Sequence, residues 1–443
     1  MAQLMISVSG VRGIYGDGLD DAVAEKFAYS YGTIYSGTVV IGRDSRKSGE
    51  ALMRAVISGL TKAGADVIDL GLTSTPTVEM AVTAKNASGG VIITASHNPG
   101  EWNGLKFLGP DGVFLDAAEG EKVLDIFHAT DDISAKSPRG TVRTWNAANK
   151  HHIDSIFALD MIDTALIASR KFTVCLDTVN GAGGPICSHI LEKLGCDVHP
   201  VNTEPTGDFA HGAEPVAENL GELCRIVKAH NADIGFAVDP DVDRLSIVNE
   251  HGVAIGEEYT LALVIDYLMS KSIKTAACNL STSRMNDDAA AKHGGIVHRA
   301  PVGEINVVRK MREVGARIGG EGNGGVILSA LHEGRDAVLG IALILQFMAE
   351  SGKTIGELAA SIPSYSMIKE KISITERNSW ITPLKQQFAG TQMDEQDGVK
   401  IILPDSWVHV RQSNTEPIVR VIAEAPTEKA ARELMDKVYA AIG

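Results

Sequence analysis

Three stretches of the chain share one plan: an apolar strand, a polar loop, a helix, a glycine and a second apolar strand. The first runs Thr38-Val-Val-Ile-Gly42, then Arg43-Asp-Ser-Arg46, then a helix from Gly49 to Ala63, then Gly64-Ala-Asp-Val-Ile68. The second runs from Lys171 to Leu176, through Asp177–Gly184, along a helix to Leu194 and into Gly195-Cys-Asp-Val198. The third runs from Thr275 to Leu280, through Ser281-Thr-Ser283, along a helix to His293 and into Gly294-Gly-Ile-Val297. Continuous apolar runs joined by helices predict parallel strands covered on both faces, because a parallel neighbour requires a crossover. The glycines just past the helices suit the left-handed C-terminal position. They are spaced at the scale of domains, not at the roughly 20–50 residues of a solenoid repeat.

The tail follows another plan. Val399–Leu403, Trp407–Arg411 and Ile418–Ala423 read as short strands. Thr427 then caps a last helix with Ala431, Leu434, Val438 and Ile442 on one face. The expected architecture is α/β: three tandem similar domains followed by a small α+β domain, with boundaries near residues 150, 255 and 367. A length of 443 residues with 44% hydrophobic content can supply several cores and excludes a disordered chain.

Lys+Arg 41 against Asp+Glu 56 gives a net charge of −15, the wrong sign for a protein that coats nucleic acid or anionic lipid. An anionic ligand must therefore be drawn by a local cluster of cations. The five cysteines are scattered without a CxxC pair, which argues against a disulfide framework or thiolate zinc site and fits a reducing cytoplasm. The N-terminal residues lack the basic start and apolar stretch of a secretory signal. The most apolar run, around Gly340–Ala349, is shorter than the ~20 residues that span a bilayer. A cytoplasmic protein with no nucleic-acid or membrane partner is expected.

Four segments carry chemistry. Thr94-Ala-Ser96-His97-Asn98-Pro99 follows the apolar run Gly90–Ile93 and is halted by proline, giving a tight turn. Ser96 there is a candidate nucleophile with His97 or Lys106 to assist, although Ser and Asn also simply form turns after strands. In Asp239-Pro-Asp241-Val-Asp243-Arg244, three carboxylates at every second position share one side if the segment is extended. Hard oxygen donors without Cys or His favour Mg²⁺ or Ca²⁺ over zinc. An EF-hand loop is excluded, since Arg244 stands where glycine is required and the flanks, Ile234–Val238 and Leu245–Val248, read as strands, which leaves a solvated acidic loop as the other reading. Gly319-Gly-Glu321-Gly-Asn323-Gly-Gly325 is a permissive loop whose Glu and Asn can reach a ligand with several hydroxyls, or a plain turn. Arg411-Gln-Ser413-Asn414-Thr415-Glu-Pro, followed by Arg420, offers hydroxyl, amide and guanidinium donors suited to phosphate oxygens, or forms a polar hairpin.

Together these segments resemble, in order and wording, the α-D-phosphohexomutase family, over essentially the whole chain from Gly10-Val-Arg12-Gly13 to Arg420. The resemblance implies three related α/β domains with mixed sheets sandwiched by helices, plus a C-terminal α+β domain, around a central cleft. It divides the chain into a phosphoserine domain (1–150), a metal-binding domain (151–255), a sugar-recognition domain (256–367) and a phosphate-binding domain (368–443). It implies interconversion of hexose 6-phosphate and hexose 1-phosphate through a phosphoserine, with a sugar 1,6-bisphosphate as intermediate and activator. Ser96 would carry the phosphoryl group, with Asp239, Asp241 and Asp243 holding Mg²⁺ together with the oxygen on Ser96. Lys106 resembles a general acid/base, Arg12 and His97 line the same site, and Arg244 is an adjacent cation. Glu321, with Asn323, resembles the group that contacts sugar hydroxyls. Arg411, Ser413, Asn414, Thr415 and Arg420 match the pocket for the non-reacting phosphate of a small phosphosugar.

A lysine acting as base needs a lowered pKa, so Arg12 or Arg43 beside Lys106 is expected. Asn323 and Gly325 stand where many relatives carry Ser and His, and Pro301 where a basic residue is frequent. The Gly-Glu-x-Asn-Gly-Gly form resembles phosphoglucosamine mutases of archaeal type, and a phosphomannomutase/phosphoglucomutase is the alternative. A silent sugar-phosphate sensor, or a phosphatase that releases the group from Ser96 to water, are the readings from other classes.

Overall fold

Each repeat forms the strand–helix–strand unit its pattern predicts. In a computed structural model that describes residues 4–7, 10–373, 379–412 and 418–442, the first repeat is the strand Thr38–Arg43, the helix Gly49–Lys62 and the strand Asp66–Leu72. The second is Thr173–Asp177, Gly183–Lys193 and Asp197–Val201; the third is Thr275–Asn279, Met285–Ala291 and Ile296–Ala300. In all three the two strands pair in parallel. The glycine after each helix has positive φ, +87° at Gly64, +74° at Gly195 and +65° at Gly294, as a left-handed C-terminus requires. The chain thus comprises three tandem α/β domains and a C-terminal α+β domain. It divides into two units: Met1–Thr260 with Asn323–Ala359, and Leu261–Gly322 with Ala360–Gly443.

The largest sheet of the first unit has eight strands. Its continuous apolar strands bury both faces, and the two faces separate with period two. Val39, Ile41, Val91 and Ile93 join one core with Phe27, Leu52, Leu60 and Phe107, while Val40, Ile68 and Ile92 join another with Val78, Val82 and Leu108. Tyr31 is fully buried in the first core, and its hydroxyl donates to Leu108 O at 2.6 Å. The helix Ala337–Ser351 explains the most apolar run of the sequence. It is buried along nearly its whole length in the first unit and packs against the helices Thr164–Arg170 and Gly183–Lys193. No helix among the described residues is long and apolar enough to cross a membrane, and all five cysteines are free.

The sheets are not purely parallel, and the exceptions place the chemistry. Strand Gly89–Ile93 pairs in parallel with Thr38–Arg43 but antiparallel with Trp102–Leu108. Strand Ile234–Val238 pairs in parallel with Thr173–Asp177 but antiparallel with Leu245–Asn249. Residues 94–101 and 239–244 are therefore hairpin connections, free of the crossover helix a parallel neighbour would impose.

In the second unit, Thr275–Asn279 lies between Ile296–Ala300 and Ile318–Glu321, all parallel. The C-terminal sheet is antiparallel, in the order Ser366–Ser373, Ile418–Ala425, Trp407–Gln412, Val399–Ile402, Gln392–Asp394. Its apolar face packs on the last helix, and its other face also buries Trp407, His409, Lys400 and Glu424. Val399, Ile401, Val408, Val410, Val419 and Val421 meet Ala431, Leu434 and Val438 of the helix Glu428–Ile442, as the sequence pattern predicts.

Candidate active site

Ser96 sits at the end of a fully buried strand, in a left-handed conformation with φ +51°. That conformation costs a non-glycine residue about 1–3 kcal/mol and persists only where the surroundings over-determine it. Here they do. The Ser96 N–H donates to Thr94 Oγ1 at 2.8 Å, and Thr94 Oγ1 in turn donates to Asp44 Oδ2 at 2.6 Å. Arg46, fully buried, donates to the carbonyls of Ser96, Asn98, Pro99 and Trp102, and its Nε reaches Asp44 Oδ2 at 3.0 Å. The loop is shaped around one guanidinium. Arg43-Asp44-Ser45-Arg46 reads in sequence as a polar connector of the repeat; its holding role depends on contacts across some fifty positions that no local pattern reveals.

The three aspartates converge by a route other than the extended segment expected. Residues 239–244 form a turn, and Val242 at its heart has φ +67°, a genuine outlier for a β-branched residue. Val242 N–H donates to Asp239 O and its own carbonyl accepts from Ala337 N–H, which pins the turn. One oxygen each of Asp239, Asp241 and Asp243 then lies within 4.8 Å of the others, with all three side chains buried. Ser96 Oγ stands 3.3 Å from Asp239 Oδ2 and 3.3 Å from His97 Nδ1.

The remaining contacts divide the carboxylates. Asp239 Oδ1 accepts from the Asp243 and Arg244 N–H groups. Asp241 Oδ2 accepts from Thr75 Oγ1 at 2.7 Å and Lys106 Nζ at 2.8 Å. Asp243 Oδ2 meets Arg335 Nη2 at 2.5 Å, with Lys106 Nζ at 3.7 Å. Asp241 Oδ1 and Asp243 Oδ1 are buried without a hydrogen bond. Two orphaned carboxylate oxygens beside a third acid are a poor arrangement for bare carboxylates and a suitable one for a hard divalent cation. The residues present fit Mg²⁺.

Burial, then the charges of Asp243 and Asp241, pushes the Asp239 carboxyl well above the usual range. Burial acts the same way on Asp241, but Lys106 and Thr75 outweigh it and hold that carboxyl well below. Lys106 departs from expectation. Burial pulls its ammonium down and Arg12 adds to that, yet Asp241 and Asp243 win and its pKa is raised. Arg43 instead pairs with Glu50 at 3.1 Å. His97 is driven to about 2 by burial and by Arg244, Arg12 and Arg335, so its ring is neutral and a feeble base. Arg12 Nη1 donates to Asn98 Oδ1 at 3.2 Å, and Arg244 Nη1 to Glu214 Oε1 at 2.7 Å. A cleft of about 960 Å³ opens beside His97, lined also by Lys47, Glu101, Phe209, His211 and Glu214.

Arg335 carries no sequence signal of its own; the trace it leaves is Gly325. A Cβ on Gly325 would lie 2.2 Å from Arg335 Cδ, so glycine there makes room for the guanidinium on Asp243. Gly325→Ala is expected to displace Arg335 and cost about 1–3 kcal/mol in denaturant titration. An unchanged midpoint would show that Arg335 has no fixed seat. Asn323 is less free than expected, because its Oδ1 accepts from the Gly325 N–H at 3.2 Å.

In the second unit, Glu321 ends the strand Ile318–Glu321 and accepts from Asn279 Nδ2 at 2.7 Å and Gly303 N–H at 3.1 Å. Arg411 pairs with Asp397 at 3.1 Å. Arg411 and Arg420 are directly opposed across their strands, and Lys371 opposes Arg420 on the other side. Directly opposed residues share a sheet face, and like charges so placed repel unless an anion sits between them. Lys371 is the member of this row that sequence reading missed. Ser413, Asn414 and Thr415 lie outside the described residues.

Models of four successive domain families match the chain: phosphoglucomutase/phosphomannomutase alpha/beta/alpha domains I, II and III at residues 4–134, 150–252 and 256–365, and the C-terminal domain at 374–441. A relative from Thermococcus kodakarensis named "Phosphoglucomutase/phosphomannomutase" is 39% identical, covering 96% of each chain. A Methanopyrus kandleri protein named "Probable phosphoglucosamine mutase" is 35% identical over 97% of this chain and 95% of that one. The crystal structure of a phosphoglucomutase/phosphomannomutase family protein from Burkholderia thailandensis superposes with a TM-score of 0.86 at 25% identity, covering 99% of this chain and 97% of that one.

Proposed function

Since the chain belongs to the phosphoglucomutase/phosphomannomutase family and is a phosphohexomutase, we propose that it interconverts glucosamine 6-phosphate and glucosamine 1-phosphate by way of a phosphoryl group on Ser96. One observation carries the phosphoserine reading. A serine hydroxyl, held in a strained turn, stands 3.3 Å from a buried carboxylate that belongs to a triad with unpartnered oxygens.

Transfer begins with the phosphoester on Ser96. The free hydroxyl of the hexose phosphate attacks phosphorus, the P–Oγ bond breaks, and a 1,6-bisphosphate is formed. Lys106, kept as the ammonium by Asp241 and Asp243, protonates the departing Oγ and takes back the proton of the attacking hydroxyl, so each half-reaction leaves it unchanged. The bisphosphate then turns end for end and returns its other phosphate to Ser96. Arg12, Arg244 and Arg335 offset the charge that spreads over the transferring oxygens, the main lever available in phosphoryl transfer. Asp239, Asp241, Asp243 and an oxygen on Ser96 would hold a Mg²⁺, which would supply Lewis-acid neutralisation of the same group.

Within the proposal, residues 1–150 carry the phosphoserine, 151–255 the metal ligands, 256–367 the sugar contacts and 368–443 the distal phosphate. Glu321 accepts from sugar hydroxyls, Asn323 orders its loop, and Arg411 with Arg420 binds the non-reacting phosphate together with Ser413, Asn414 and Thr415. The Gly-Glu-x-Asn-Gly-Gly wording and the relatives named as phosphoglucosamine mutases support the amino sugar. The relative at 39% identity, named for glucose and mannose phosphates, supports the second reading.

Glucosamine-, mannose-, glucose- and N-acetylglucosamine-1-phosphate, each assayed with its 1,6-bisphosphate, separate the two. The amino sugar is expected to lead in kcat/KM by about 10-fold or more, the scale of one buried hydrogen bond. Equal rates on all four would sink the substrate assignment. Steady release of inorganic phosphate at the rate of turnover would convert the mutase into a phosphatase.

A further inference from the structure

A second cluster of ligating side chains is buried in the first unit, and the phosphoryl chemistry uses none of it. Asp336 caps the helix Ala337–Ser351, its Oδ1 accepting from the Val338 and Leu339 N–H groups. Its other oxygen, Oδ2, faces two histidines at once: His152 Nε2 at 2.7 Å and His332 Nε2 at 3.2 Å. Ligand atoms of all three residues lie within 4.8 Å of one another. The far nitrogens of both rings are turned to oxygen atoms of one helix, Thr75–Ala84. His152 Nδ1 is 2.9 Å from Thr77 Oγ1, and His332 Nδ1 is 3.4 Å from Glu79 Oε2, with the Gly334 N–H also near it at 3.2 Å.

Glu79 meets the cluster through that one ionic contact with His332. Glu79 is only 1% exposed, and neither of its oxygens makes a hydrogen bond. Two carboxylates, Glu79 and Asp336, are enclosed with two imidazoles, and a proton on His332 between them answers only one of the two charges. We propose that His152 Nε2, His332 Nε2 and Asp336 Oδ2 bind a zinc-class divalent cation, with Thr77 and Glu79 fixing the two rings from behind.

The donor chemistry supports this occupant. Two imidazole nitrogens and one carboxylate suit Zn²⁺ and neighbouring transition metals, whereas the all-oxygen triad around Asp239 suits Mg²⁺. A ligating histidine gives its other ring N–H to a carboxylate, hydroxyl or carbonyl, and both histidines have such an oxygen in place. A metal at Nε2 would leave the remaining His332 proton on Nδ1, which faces Glu79 Oε2 at 3.4 Å. A dication also balances the two carboxylates. The three segments that meet there fall within the first, second and third matched domains, so the ion would tie them together inside this unit.

The test uses the full-length protein, stripped by chelation and titrated with Co²⁺ and then Zn²⁺ in excess Mg²⁺. Wild type is expected to take up a stoichiometric cobalt ion with visible d–d absorption of tetrahedral intensity, displaced by zinc and not by magnesium. Asp239→Asn should retain that site, His152→Gln and His332→Gln should lose it, and Glu79→Gln should weaken zinc about 10–100-fold. The proposal is overturned if wild type shows no such absorption, which needs no variant to fold. It is also overturned if folded His332→Gln binds zinc as tightly as wild type, or if Asp239→Asn alone abolishes uptake.

Discussion

Ser96→Ala is expected to lower mutase turnover by on the order of 10⁴-fold or more, the scale of losing an enzyme's covalent carrier. KM for the hexose phosphate should move little, since in the proposed reaction the hydroxyl carries the phosphoryl group and does not grip the sugar. Intact mass should report the same event directly. Wild type incubated with sugar bisphosphate gains one phosphoryl group, and Ser96→Ala does not. The prediction rests on position: Oγ stands 3.3 Å from Asp239 Oδ2, in a backbone conformation that serine adopts only under constraint. A variant that kept more than about a hundredth of the turnover would place the carrier elsewhere.

Arg46→Met should produce the largest loss of stability in the first unit. Arg46 is enclosed with Asp44 and donates to four carbonyls of the Ser96 loop and its flank. Methionine fills much of the volume but leaves Asp44 charged and unpaired, at a cost of about 3–5 kcal/mol. Burial already pushes the Asp44 carboxyl up, with Arg46 opposing that push, so the variant should also take up a proton at this site. Denaturant titration of Arg46→Met, Asp44→Asn and the double variant gives the coupling. The double variant should lose clearly less than the two singles combined. Strict additivity would mean that the pair does not act as one unit, and that Thr94 and the strand hold the loop unaided. Activity should fall with stability, because the Ser96 carbonyl loses its anchor.

Much of the fold was legible because its signals are local. Apolar runs such as Thr38–Gly42 and Thr275–Leu280, each followed by a loop, a helix and a glycine, specify strand, crossover and left-handed helix end within some thirty residues. The alternating valines of the last sheet likewise announce the face that packs on the final helix. Chemistry was legible as residue type: a serine after a buried strand, three aspartates in a row, guanidiniums beside hydroxyls. Geometry was less so. The aspartates were expected to share a side of an extended segment, whereas a left-handed Val242 folds them together, and only tertiary contacts such as Ala337 N–H to Val242 O hold that residue there. Lys106 was expected to be lowered by neighbouring cations, and two buried carboxylates reverse the sign.

From its amino acids alone, this chain declares its strand–helix–strand repeats, a serine after a buried strand and three neighbouring acids, since periodicity and residue chemistry are written along the backbone. Tertiary structure decided the rest: that Arg46 holds the serine loop, that Arg335 occupies the space Gly325 leaves, and that His152, His332, Asp336 and Glu79 meet in one buried place. Arg46 lies fifty positions from Ser96, Arg335 ninety-two from Asp243 and His152 184 from Asp336, and their energies depend on burial and charge at a few ångströms, quantities that exist only once the chain has closed on itself.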